Sequence, residues 1–278
     1  MNVTSQCGED GIIARLLELL PETPKTCIEV GAWDGVTFSN TNTLWSKQGW
    51  RALLIESKPN RVKMIDERAG NNANVTIVQA TIAPTGPNAL DEIVKRANFP
   101  PRVGVLSLDI DSNDIEVFEN LHHVAPDIVI IEFNHEIPPD IDYRDLPGDV
   151  FFRHSAKAVE AAAKARGFRV VACSGPNATL VREALIAGDV AQQLPDAKIE
   201  DLFDHDFVLS RRTLTRLVHA KYITEEVAVC GKPNIALAVF VRAAVLYRKL
   251  RRLLRGNGTG VPITKARREN LRRAGLWI

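Results

Sequence analysis

No Cys-x-x-Cys pair occurs in the sequence, and its four cysteines (Cys7, Cys27, Cys173 and Cys230) stand far apart. In a chain of this length such usage disfavours a disulfide framework and fits reduced thiols in a cytoplasmic protein. A basic start followed by an apolar run, the mark of a secretory signal, is missing. So is the dinucleotide fingerprint G-x-G-x-x-G. No internal repeat or low-complexity tract stands out. The apolar stretch 235–246 is interrupted by Arg242 and followed by basic residues, which makes it too short and too charged to span a bilayer.

Net charge is also nearly lacking, at +1 over 278 residues. That balance hides an asymmetry. Between Arg242 and Arg273 stand eleven Lys and Arg and one acid, Glu269, so this segment carries +10 and the rest −9. The main domain is mildly acidic, which argues against a nucleic-acid footprint spread over it. What is present is ordinary for a soluble globular protein: 45% apolar and 25% charged residues. The length suffices for one large domain with an appendage. We divide the chain into residues 1–230, a ligand-binding domain, and residues 231–278, a basic helical C-terminal extension.

Apolar, often β-branched runs at 26–30, 52–55, 75–80, 103–108, 127–133, 168–173 and 178–181 predict strands. Several are apolar throughout, as in strands covered on both faces. Helical periodicity falls between them at 9–20, 39–47, 60–69, 90–97, 115–122 and 155–166. This alternation predicts an α/β fold, a doubly wound, mostly parallel seven-stranded sheet built from right-handed crossovers. Its ligand site is then expected outside the carboxyl ends of the strands. Residues 182–229 show no regular layout.

The first strand runs into Glu29-Val30-Gly31-Ala32-Trp33-Asp34-Gly35. Glycines four apart let the backbone turn sharply and approach a ligand. Glu29 and Asp34 flank the turn, where a pyrophosphate would otherwise sit at a helix N-terminus. Two like charges about 4 Å apart cost on the order of 4 kcal/mol at an effective dielectric of about 20, so the acids favour a cationic ligand over a phosphate. S-adenosylmethionine, with a sulfonium and an α-ammonium, has that character. Glu56 ends the second strand 25 residues after Gly31, where a carboxylate can accept both hydroxyls of a ribose. Strand-end acids also cap helices, so Glu56 alone admits that reading too.

Ser5-Gln6-Cys7-Gly8-Glu9-Asp10-Gly11, the 29–35 turn, Ser39-Asn40-Thr41, Leu54-Ile55-Glu56 and Leu108-Asp109-Ile110-Asp111-Ser112-Asn113-Asp114 together resemble the FkbM-related methyltransferase family over about residues 4–182. The resemblance implies a class I, Rossmann-like S-adenosylmethionine fold, often with O-methylation of sugars or natural products. It places Glu29, Gly31 and Gly35 along the methionine moiety, Glu56 at the ribose, and Ala80 and Thr81 near the adenine; Ala32, Asp34, Ser39, Asn40 and Asp109 are further candidate cofactor-binding residues. One departure is plain: the family commonly has Asp-x-Glu-Gly after the fourth strand, and this chain has Asp109-Ile110-Asp111-Ser112.

A second constellation follows strands four and five. Side chains at i and i+2 share a face, so Asp109 with Asp111, and Glu132 with Asn134, are expected to converge. Such hard oxygen ligands suit Mg²⁺ or Mn²⁺, which could orient an acceptor hydroxyl and lower its pKa. The metal-free alternative has Asp111 and Asp114 capping the following helix and Glu132 holding the cofactor's amino group. His135, with an ordinary pKa of about 6.5, is a candidate general base, or else a loop histidine. His122 and His123 suit a helix end by the local dipole alone. Ser5, Gln6, Glu9 and Asp10 either form a partial lid or begin the first helix. Trp33 either stacks on a substrate or packs.

Residues 240–255 mix apolar and basic side chains as in a basic amphipathic helix, and basic character continues to 273. It can attach to an anionic membrane surface, an acidic partner or an RNA backbone, or pack on the domain by its apolar side. The leading expectation is an S-adenosylmethionine-dependent O-methyltransferase acting on a small-molecule or glycan hydroxyl, with acceptor contacts from loop 136–148. It would be cytoplasmic or peripheral to the inner membrane face. The alternative is a methyltransferase-like module without catalysis, anchored by its basic tail.

Overall fold

A computed structural model of the chain describes residues 3–111, 113–146, 153–205, 207, 264–274 and 276. Seven strands form one sheet: β1 (Thr26–Val30), β2 (Arg51–Glu56), β3 (Val75–Gln79), β4 (Arg102–Leu108), β5 (Ala125–Glu132), β6 (Phe168–Ser174) and β7 (Asn177–Arg182). Their order is β3-β2-β1-β4-β5-β7-β6. β1 through β5 pair in parallel, while β7 lies antiparallel between β5 and β6. This is the doubly wound, mostly parallel seven-stranded sheet expected from the sequence.

Residues alternate between the two faces of each central strand, and both faces are dry. Ile28, Val30, Leu53, Ile55, Val129 and Ile131 meet α4 (Leu90–Arg96), α5 (Asp114–Glu119) and α6 (Ala156–Ala165) on one side. Cys27, Ala52, Leu54, Ile128 and Ile130 meet α1 (Glu9–Leu19), α2 (Asn42–Lys47) and Ile65 of α3 (Pro59–Ala69) on the other. Covering both faces leaves the strand ends as the place where polar side chains reach solvent.

Two helices depart from the sequence expectation for identifiable reasons. α2 begins at Asn42 rather than near residue 39, because Ser39, Asn40 and Thr41 turn inward to donate to the Glu29 carboxylate. α5 stops at Glu119 because Asp91 of α4 takes the backbone N–H groups of His122, His123 and Val124. Those two histidines thus lie past the helix, in a turn closed by a carboxylate. Between β6 and β7 only Gly175 and Pro176 intervene, too short a link for a parallel crossover, so the pair forms a hairpin.

The stretch after β7, irregular in sequence, holds a 3₁₀ turn (Glu183–Leu185), α7 (Asp189–Gln193) and α8 (Ile199–Leu202), with Ile199 and Phe203 reaching the core. A helix over Lys265–Arg273 seats Leu271 against Ile137 and Tyr143. Its Asn270 side chain donates to the Arg144 carbonyl. The basic segment 240–255 and the boundary drawn at 230/231 lie outside the described residues. Among the described residues no helix is long and apolar enough to cross a membrane.

Candidate functional site

A cleft of about 460 Å³ opens at the carboxyl ends of β1, β2 and β4, where this topology reverses direction. Glu29, Gly31, Ala32, Ser39, Asn40, Glu56, Ala80, Thr81 and Asp109 all line it. Asp34 and Gly35, grouped with them from the motif, do not. The Asp34 carboxylate accepts from the Val36 and Thr37 N–H groups and the Thr37 hydroxyl, and it pairs with Arg68 of α3. It therefore folds the turn rather than facing a ligand. Burial opposes ionisation of Asp34, but these donors outweigh it and hold its carboxyl below the usual range.

Gly31 has φ +82°, and a Cβ there would stand 1.9 Å from the Asp109 carbonyl oxygen. The glycine lets β1 leave the sheet against the end of β4. Gly35 also has positive φ (+77°), but a Cβ there would meet only Ile65 at an ordinary 3.4 Å.

Glu29 is buried on the cleft wall, and both its oxygens are already used. Oε2 accepts from the Ser39 and Thr41 hydroxyls, each at 2.7 Å, and Oε1 from the Asn40 N–H at 2.9 Å. Burial pushes its carboxyl above the usual range despite those bonds. Glu29 thus anchors residues 39–41 along the cleft. The two acids expected to repel a phosphate are both satisfied from within the protein. Asn40 extends the same wall: its Nδ2 donates to the Ser107 hydroxyl, while its buried Oδ1 has no partner.

Glu56, also buried, accepts from the Trp33 and Lys58 backbone N–H groups at 3.0 and 2.9 Å. Its carboxylate is thereby oriented at the end of β2 beside the 31–33 turn. Arg61 lies 3.8 Å from it and stacks over the Trp33 ring, 3.9 Å from the ring centroid. Trp33 is 47% exposed and Phe38 57%, and both line the cleft with left-handed backbones. Neither is a core residue. Arg61, Lys58 and Phe38 carry no motif that the sequence would have revealed.

At the N-terminus, Ser5 forms an isolated bridge to Phe38, while Asp10 accepts from the backbone of Val3 and Thr4 and from the Ser5 hydroxyl. Glu9 accepts from the Cys7 N–H and the Asn177 side chain. Of the four residues read as lid or helix start, Gln6 lines the cleft; Glu9 and Asp10 secure the segment to the fold.

Beyond β4 and β5, Asp109, Asp111 and Glu132 bring one carboxylate oxygen each within 4.8 Å of one another. The cause is not strand alternation, since β4 ends at Leu108; the chain turns back at Asp111, whose φ is +63°. Asp114, not Asp111, closes that turn by accepting from the Ile110 N–H. Asn134 does not line the cleft; its Oδ1 accepts from the Glu136 N–H and its own N–H donates to the His154 carbonyl. Nor does His135 line the cleft, its ring lying edge-on to Phe207 with centroids 5.0 Å apart.

Arg153, unanticipated from sequence, sits against this cluster. Its Nη1 donates to Glu132 Oε1 at short range and to Asp111 Oδ1 at 3.2 Å. Three of the four ligands expected for Mg²⁺ or Mn²⁺ (Asp109, Asp111 and Glu132) do come together, but two of them, Asp111 and Glu132, are paired to a guanidinium. Burial pushes the Asp109 carboxyl well above the usual range, and neighbouring Glu132, Asp114 and Asp111 push the same way. Burial raises Glu132 as well, against the pull of Arg153. Glu132 Oε2 is buried and meets no conventional donor, which a proton carried by Asp109 would supply. Both carboxyls are thus held above their usual range, Asp109 the further of the two, and Arg153 stands on the Glu132 side.

No family model matches the chain, and no curated protein does. The FkbM resemblance therefore rests on the quoted motifs. Solved structures with some similarity include the N-terminal domain of EvdMO1 crystallised with SAH and D-fucose, at 12% identity and a TM-score of 0.41 over 62% of this chain and 80% of that one. An S-adenosylmethionine-dependent methyltransferase from Aquifex aeolicus scores 0.33 at 18% identity, over 62% of this chain and 96% of its own. The Methanococcus jannaschii fibrillarin pre-rRNA processing protein scores 0.41 at 16% identity, over 58% and 67%.

Proposed function

We propose that this chain is an S-adenosylmethionine-dependent methyltransferase that methylates a hydroxyl of a sugar or small metabolite. The observation that carries the reading is Glu56. Two backbone N–H groups fix its carboxylate at the end of β2, on the wall of a cleft whose turn lacks the glycine run that cradles a pyrophosphate. A carboxylate so placed suits the two hydroxyls of an adenosyl ribose. The unpartnered Asn40 Oδ1 supports the reading, since an acceptor on the same wall suits an α-ammonium. The resemblance of the quoted motifs to the FkbM-related family agrees.

Bound S-adenosylmethionine supplies a methyl group on a sulfonium. As the sulfur–carbon bond breaks and the oxygen–carbon bond forms, the acceptor's hydroxyl proton must leave. The Asp109 and Glu132 carboxyls, both on the cleft wall, are the groups placed to receive it. Calorimetric titration with S-adenosylmethionine tests the reading, and absence of binding at millimolar ligand refutes it. Glu56→Ala is expected to weaken binding about 10- to 100-fold, the worth of one or two charge-assisted hydrogen bonds. An unchanged affinity removes the ribose assignment.

A further inference from the structure

Three carboxylates gathered within 4.8 Å need a counter-charge, and the nearest cation is part of the chain itself. We propose that Arg153 is the resident cation of the Asp109–Asp111–Glu132 cluster, filling the place of a divalent ion and excluding one. The guanidinium bonds to carboxylates that arrive from two different segments, Asp111 after β4 and Glu132 at the end of β5. That bridging of two strand ends is the task of a metal in an acidic site of this kind. Arg153 is placed for it at some expense. Its backbone is left-handed, at φ +64°, and its N–H is tied to the Asp145 carboxylate at 2.8 Å. A guanidinium is always charged and cannot dissociate, so the cluster keeps its counter-charge at every pH and without any supply of metal.

Arg153 is therefore a positioning residue: it fixes Glu132 and Asp111 against one another. Its consequence for methyl transfer rests on the proposed function; the exclusion of metal does not, and is tested separately. The measurement is Mn²⁺ binding by electron paramagnetic resonance, on the full chain without cofactor. The wild-type protein and Arg153→Lys, which keeps the charge, are expected to bind no Mn²⁺ at this site up to about ten times the concentration that half-saturates Arg153→Ala. Arg153→Ala is expected to bind one ion per chain, and adding Asp109→Asn should abolish it. Wild-type binding of one Mn²⁺ that Asp109→Asn removes overturns the proposal. So does a folded Arg153→Ala that binds none, or an Arg153→Lys that binds as well as the alanine variant. Should Arg153→Ala lose its native circular dichroism, Arg153→Gln replaces it, being uncharged and of similar length, with the same outcomes for and against.

Discussion

Gly31 and Asp109 touch through their backbones: a single added carbon on Gly31 would overlap the Asp109 carbonyl oxygen at 1.9 Å. The opposing atom belongs to the main chain at the end of β4, so it cannot swing aside. Gly31→Ala therefore combines a left-handed alanine, about 1–2 kcal/mol, with an overlap of about 1–3 kcal/mol. Urea denaturation is expected to show a loss of roughly 3 kcal/mol or an unfolded protein. Gly35→Ala has only the backbone cost, about 1–2 kcal/mol, because its Cβ would find Ile65 at 3.4 Å. Equal losses at the two positions would show that the contact with Asp109 is not what requires glycine.

The same turn shows where sequence reasoning succeeds and where it stops. Strands apolar on both faces announce themselves by composition, and in a parallel sheet polar residues just after them must gather at one edge. Hence Glu56 and Asp109 are legible as cleft residues from the strand pattern, while Ala80 and Thr81 come from the family resemblance. Spacing does not say which way a side chain points within a tight turn. Asp34 shares a motif with Gly31 yet answers to Arg68 on the neighbouring helix, a partner 34 residues away. Arg153 is out of reach for a related reason: it meets Glu132 from 21 positions further along the sequence, with no period to link the two. The reversed direction of β7 is written in the two-residue link before it, which cannot make a crossover, although the alternation of strands and helices elsewhere draws attention away from that spacing.

Asp91 offers a test of pH dependence on the acid side. Burial pushes its carboxyl up, but the N–H groups of His122, His123 and Val124 outweigh that and hold it below the usual range. A carboxyl with a lowered folded value stabilises the fold above its unfolded value of about 3.9 and loses that contribution as pH falls through the folded value. Asp91→Asn keeps one acceptor oxygen and loses the charge. Denaturation at pH 7 is expected to show a loss of about 2 kcal/mol. At about pH 3 and below, the difference from wild type should shrink. A penalty that stays constant between the two would mean the ionised carboxylate is not its source.

Asp109 has the opposite sign. Its carboxyl is raised, chiefly by burial and next by Glu132, so the folded state holds a proton that the unfolded chain releases above about pH 3.9. From that point up to the folded value, stability falls by about 1.4 kcal/mol for each pH unit. Asparagine carries no such proton, and its amide can donate to Glu132 Oε2 where the Asp109 proton would lie. Asp109→Asn should consequently be more stable than wild type near neutral pH, with the advantage narrowing toward about pH 4. Chemical denaturation at about pH 8, 6 and 4 measures it. An advantage that did not change with pH would show that Asp109 is ionised in the fold. In that case Arg153 would be balancing three charges.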